Sequence, residues 1–146
     1  MNEQFAELGP VTLCYETFGD PADPAVLLIM GLGTQMIAWR EDFCRQLVER
    51  GFFVIRYDNR DCGRSSSMKG SPPGLVELAT RRIKAPSYTL GEMADDAAGL
   101  LDHLGIQKAH IVGASMGGMI AQAIAIRHPD KTLSLCSIMS TTGDRS

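Results

Sequence analysis

The chain of 146 residues has little of what marks a nucleic-acid, membrane or metal-binding protein. It has no surplus of positive charge: 14 Lys and Arg stand against 17 Asp and Glu, a net charge of -3. A nucleic-acid binder normally carries a basic patch or stripe, so no nucleic-acid partner is expected. Its longest apolar run, from Ala25 to about Gly33, is far shorter than the ~20 residues of a membrane helix, so no membrane association is expected either. The acidic opening M-N-E-Q-F-A-E-L-G has no apolar signal core, which argues against secretion and for a cytoplasmic location. Four cysteines (Cys14, Cys44, Cys62, Cys136) are scattered without a C-x-x-C pair, so free thiols are expected rather than a disulfide framework. Three histidines (His103, His110, His128) form no H-E-x-x-H, and no metal site is expected. Internal repeats and low-complexity tracts are also missing. What remains is 45% apolar and 21% charged, the make-up of one soluble globular domain.

Within that composition, strands and helices alternate. Val11 to Phe18 reads as a strand, closed by the turn residues of G-D-P-A-D-P. Ala25 to Met30 is continuously apolar up to Gly31, the signature of a strand buried on both faces of a parallel sheet. Trp39, Phe43 and Leu47 recur at helical spacing before Gly51, and Phe53 to Tyr57 is the next strand. Asp58 to about Ser87 is irregular, rich in Ser, Gly and Pro; a connection that long is usually functional or mobile. Thr89 and Glu92 form a capping box ahead of a helix whose apolar face carries Leu90, Met93, Ala97, Leu100, Leu101 and Leu104. A short strand over Ala109 to Val112, a helix from Ser115 to about Arg127 and a strand over Thr132 to Ile138 complete the pattern. This alternation predicts an α/β fold, an open and mostly parallel sheet with helices on both faces.

The chemistry sits at Gly113-Ala114-Ser115-Met116-Gly117, a G-x-S-x-G where a buried strand turns into a helix. A strained turn pushes the Ser115 hydroxyl out over the sheet edge, and glycine two residues either side lets the flanking backbones pass closely. The Met116 N–H points to the same space at the positive end of the helix, where an oxyanion could be held. Two rival glycine-loop readings fail. Gly113 to Gly118 has the outer spacing of a phosphate loop, but Met119 stands where Lys is required. Gly31-Leu32-Gly33 follows a strand, but Met36 occupies the third glycine position of a dinucleotide fingerprint. The plain alternative is a tight turn whose serine merely caps the helix.

These segments together resemble the N-terminal portion of an α/β-hydrolase, in the carboxylesterase branch of aclacinomycin methylesterase-like enzymes. The resemblance runs through V-L-L-I-M-G-L-G at 26–33, I-R-Y-D-N-R-D-C-G-R-S-S at 55–66, Y-T-L-G-E-M-A-D-D at 88–96 and A-H-I-V-G-A-S-M-G-G-M-I-A-Q at 109–122. It covers essentially the whole chain, a single partial domain over 1–146. It implies Ser115 as nucleophile, with an oxyanion hole from the backbone N–H groups of Leu32 and Met116. Relatives commonly carry His-Gly where this chain has Met30-Gly31, a change that a backbone donor tolerates. In the family's D-x-R-G-x-G turn, here Asp58 to Gly63, Asp61 replaces a glycine; the turn's implied role is to brace the loops beside the nucleophile.

A serine hydrolase also needs a base and an acid to orient it, and in this fold both follow the serine. After Ser115 the sequence offers one helix, one strand and the tail T-T-G-D-R-S, with Asp144 as an acid that has no histidine to orient. His128, thirteen positions on along the helix, falls roughly 20 Å from Ser115 at 1.5 Å per residue. His110 within a strand and His103 near a helix end are expected as core or surface residues. Met36, Trp39 and the 58–87 segment are candidates for the acyl side of a pocket. The sequence therefore predicts a serine carboxylester hydrolase core acting on a small-molecule ester, without metal or organic cofactor. Its triad acid and histidine are expected on a complementary C-terminal polypeptide. The alternatives are an inactive, self-associating remnant that dimerises through the apolar edge Thr132–Ile138, and a lactonase, thioesterase or cofactor-free perhydrolase using the same elbow.

Overall fold

The computed structural model of the protein describes residues 3–31, 33–67 and 88–142. Six strands form one sheet: β1 (Gln4–Glu7), β2 (Thr12–Phe18), β3 (Ala25–Ile29), β4 (Phe53–Tyr57), β5 (Ala109–Ala114) and β6 (Thr132–Ile138). Their order across the sheet is β1-β2-β4-β3-β5-β6. β1 pairs antiparallel with β2 and β2 antiparallel with β4, whereas β4, β3, β5 and β6 run parallel. Every residue of β3 and β4 is buried, as the unbroken apolar run at Ala25 requires for a strand covered on both faces. β1 escapes the sequence reading for a physical reason. Only Ala6 of its four residues is buried, so an edge strand this short shows no apolar alternation.

Among the described residues three helices cover the sheet: α1 (Glu41–Glu49), α2 (Leu90–His103) and α3 (Met116–Arg127). On one face, α2 and α3 press Met93, Ala97, Leu101, Ile120 and Ile124 against Leu27, Ile29, Ile55 and Ile111. On the other, Trp39 and Cys44 pack on Val26, Leu28 and Val54, with Leu47 and Val48 of α1 beside them. The N-terminus of α2 is capped as the sequence predicts, Thr89 Oγ1 accepting from the Glu92 N–H at 3.1 Å. The Glu92 side chain does not close the box; it lies 3.5 Å from Arg60. α1 differs from expectation. Met36–Ala38 form a 3-10 turn, Trp39 precedes the helix, and Phe43 stacks on Trp39 at 5.6 Å while remaining 39% exposed. The spacing of Trp39, Phe43 and Leu47 thus records an aromatic stack across the helix entry rather than one buried stripe. Of the expected 58–87 loop, residues 68–87 lie outside the described residues.

Two buried ion pairs tie elements far apart in sequence. Arg56 of β4 pairs with Glu16 of β2 through its Nε at 2.7 Å and also donates to the Trp39 carbonyl. Arg60 reaches Asp96 of α2 with two parallel bonds, 2.7 and 2.8 Å, and lies 5.0 Å from the Tyr88 ring centroid. Bidentate pairs of this kind fix geometry as well as contribute energy. Removing one partner strands a buried charge, so Asp96→Ala is expected to destabilise the domain by ~3 kcal/mol or more, measured by denaturant unfolding.

All four cysteines are free. Cys14, Cys44 and Cys62 are buried and Cys136, on β6, is exposed. Burial pushes the Cys14 thiol up to about 11, so its thiolate is scarce at neutral pH. A disulfide-exchange reagent should label Cys136 in the native protein and reach the other three only on unfolding.

Candidate active site

Ser115 occupies the sharp turn between β5 and α3 with φ 57 and ψ -123, a strained conformation for a residue with a Cβ. It stands at the N-cap position of α3, yet its side chain makes no capping hydrogen bond and the residue is exposed. The plain reading of a helix-capping serine therefore fails. Its backbone is held from both sides: the Ser115 N–H donates to the Ile138 carbonyl of β6 at 2.9 Å, and its carbonyl accepts from Gly118 N–H at 2.9 Å. Met116, half-buried, opens α3 with one of the first-turn amides that have no intrahelical acceptor.

The two flanking glycines are a steric necessity. A Cβ at Gly113 would overlap the Gly117 carbonyl, and a Cβ at Gly117 would overlap the carbonyl of Ile29 at the end of β3. The helix start is thus driven against the neighbouring strand, which throws Ser115 outward. From that neighbouring strand comes the loop opening at Gly31, itself pressed on the serine: a Cβ there would lie 3.2 Å from Ser115 Cβ and 3.5 Å from its Oγ. Leu32, the expected second oxyanion donor, lies outside the described residues.

The turn after β4 supports this loop from beneath. Asp58 is 3% exposed; its carboxylate accepts the N–H groups of Met36 at 2.8 Å and Arg64 at 3.1 Å. Asn59 donates its side-chain amide to the Met30 carbonyl at 2.9 Å. Asp61 has φ 63, which explains why a glycine suits that position and why the short polar Asp can replace it. Sequence reading treated this turn as one brace and did not single out Asn59, because its contact with Met30 spans 29 positions. Burial, with a hydrogen bond to Asp61 adding to it, raises the Tyr88 hydroxyl to about 12.

The histidines are engaged elsewhere. His128 follows α3 at its far end and sits 2.8 Å from Asp95, which also takes two bonds from Arg127. His110 Nδ1 lies 2.7 Å from Ser134 Oγ and its ring meets Phe52 edge-on; it is half-buried rather than core. His103 is exposed and packs edge-on against Tyr15. Asp144 is outside the described residues, and among the described residues no cluster of His, Cys, Asp or Glu could hold a metal ion. Met36 and Trp39, expected on the acyl side, are both buried, 1% and 8% exposed, with Trp39 packed on Val26, Leu28 and Val54. Among the described residues no helix is long and apolar enough to cross a membrane.

This geometry ranks three glycine substitutions. Gly113→Ala and Gly117→Ala, each forced against backbone, should cost ~3 kcal/mol or more and prevent the elbow from forming. Gly31→Ala meets only side chain and one carbonyl at van der Waals limits, so it should fold and lose reactivity at Ser115; circular dichroism and serine labelling separate the two behaviours.

Comparison with known proteins places the molecule. A family model described as alpha/beta hydrolase fold matches residues 24–144. The chain is 40% identical over 125 residues to rhodomycin D methylesterase DnrP of Streptomyces peucetius, covering 86% of this chain and 38% of that protein. It is 33% identical over 121 residues to 3-oxoadipate enol-lactonase 2 of Acinetobacter baylyi, covering 83% of this chain and 39% of that protein. Among solved structures, a carboxylesterase from Nitrososphaera gargenis superposes with a TM-score of 0.80 at 28% identity, over 98% of this chain and 47% of the other. A thioesterase domain from the curacin biosynthetic pathway gives 0.79 at 29% identity, over 100% and 47%. The chain thus spans less than half the length of each of these relatives. With a strained, exposed serine at a glycine-flanked strand–helix turn and a family match over most of its length, the chain belongs to the α/β-hydrolase fold family.

Proposed function

We propose that the chain is the nucleophile-bearing part of a serine carboxylic ester hydrolase. Ser115 attacks the ester carbonyl, and the backbone N–H groups of Met116 and Leu32 receive the developing oxyanion. The observation that carries this reading is the Ser115 backbone, held at φ 57 with its side chain exposed and not spent on capping α3. A strain of ~1–3 kcal/mol at one residue persists where the surroundings over-determine it, and such residues cluster at active sites. The ester class is supported by the 40% identity to a methylesterase, against 33% to an enol-lactonase. A lactone or thioester carbonyl would be attacked by the same elbow.

The acid and base come from a complementary C-terminal polypeptide that pairs beside β6. Two facts support this: each described histidine is occupied away from Ser115, and β6 is the outermost strand, with Leu133 48% and Leu135 43% exposed. An apolar, parallel edge strand with both faces open invites another strand. The same edge supports a second reading, a non-catalytic homodimer of two copies joined through Thr132–Ile138. Size exclusion with mass detection separates them: a stable complex with a second polypeptide favours the first, and a homodimer whose serine takes no label favours the other.

In the assembled enzyme a fluorophosphonate should add to Ser115, seen by intact mass. Ser115→Ala should abolish both the adduct and ester turnover, a loss of at least ~10³-fold. Full turnover by the purified variant would sink the assignment.

A further inference from the structure

A short loop joins the end of β3 at Ile29 to the 3-10 turn that begins at Met36. The β3 ladder ends at Ile29, and beyond it Gly31 has no side chain and Gly33 adopts φ 67, a conformation that glycine takes without strain. Within it the Thr34 N–H donates to the Gly31 carbonyl at 3.3 Å. A hydrogen-bond donor serves an oxyanion only when it is fixed before the charge develops.

We infer that Asn59 is a positioning residue for the oxyanion loop: its amide holds the Met30 carbonyl while Asp58 holds the Met36 N–H, latching the loop at both ends against Ser115. The inference rests on the esterase reading above, in which this loop supplies an oxyanion donor. Both latches come from adjacent residues of one turn, and both are buried, Asp58 at 3% and Asn59 at 5% exposure. The turn is itself immobilised. Asp58 N–H donates to the Cys14 carbonyl of β2 at 2.9 Å, Ser65 Oγ donates to the Asp58 carbonyl at 2.6 Å, and Arg60 is locked to Asp96. Rigid sheet and helix thus reach Met30 through one amide group.

The chemistry of the contact demands asparagine's donor. A carbonyl oxygen can only accept, so an aspartate of the same size would set two acceptors face to face. Because Gly31 already touches Ser115, rotating the Met30–Gly31 peptide shifts the donor relative to the serine. A misplacement of this kind, about 1 Å, costs on the order of 10²-fold in rate. Substrate binding elsewhere in the pocket would be unaffected.

The test compares Asn59→Asp with Asn59→Ala at about pH 8, where an ordinary carboxyl is ionised. Backbone hydrogen exchange at residues 30–36 is read in this chain, and kcat and KM on p-nitrophenyl acetate in the assembled enzyme. Both variants should speed exchange of the loop and lower kcat ~10- to 100-fold with KM unchanged, and the Asp variant should be at least as impaired as the Ala variant. The reverse order, with Asp near wild type and Ala impaired, would mean that Asn59 only fills space and overturns the proposal. Unchanged loop exchange also overturns it, as does faster exchange with wild-type kcat. Turnover that survives Ser115→Ala refutes the esterase reading instead, and the exchange data on the two Asn59 variants still decide whether the latch exists.

Discussion

The rest of the site depends on one steric fact: the start of α3 is packed so tightly against the end of β3 that there is no room for a side chain at Gly117. Its Cα faces the Ile29 carbonyl, and the same crowding within the turn leaves Gly113 no room beside the Gly117 carbonyl. Glycine at both places lets the chain reverse from strand to helix within a single residue. That residue, Ser115, must take a left-handed conformation and cannot turn its hydroxyl back to cap the helix. Exposure and strain of the serine therefore share one cause, the close packing of the interior.

From this crossing, support spreads outward through polar contacts rather than apolar ones. The turn after β4 has three consecutive buried polar or charged residues, Asp58, Asn59 and Arg60, and Arg56 near the end of β4 is a fourth. Each has a partner outside the turn: Glu16 on β2, Met36 in the 3-10 turn, Met30 just after β3, and Asp96 on α2. Buried groups of this kind are costly when unpaired, so the network fixes one arrangement of those elements. It joins the apolar layers on the two faces of the sheet at the end where Ser115 emerges.

The opposite edge is built differently. Among the described residues β6 pairs with β5 alone, and its residues 133–137 are exposed, Leu133 and Leu135 among them. The chain spans 38% of a methylesterase relative's length. The histidines tell a similar story: His128 is bound to Asp95 and His110 to Ser134, so neither is poised to take a proton from Ser115.

Most of the fold was legible in the sequence because its cues are local. The five-residue apolar run of β3, the β-branched and aromatic residues of β4, the Thr89 cap of α2 and the G-A-S-M-G turn each declare themselves within a few positions. β1 was hidden, since an edge strand with one buried residue has no pattern to read, and the α1 entry was misjudged because aromatic stacking across a helix start mimics helical spacing. What only the tertiary structure decided lies in contacts between distant positions: Asn59 with Met30, Asp58 with Met36, Arg60 with Asp96. Sequence periodicity reports which side of an element is apolar. It carries no record of which polar groups meet across the sheet, because that depends on strand order and on where each strand ends.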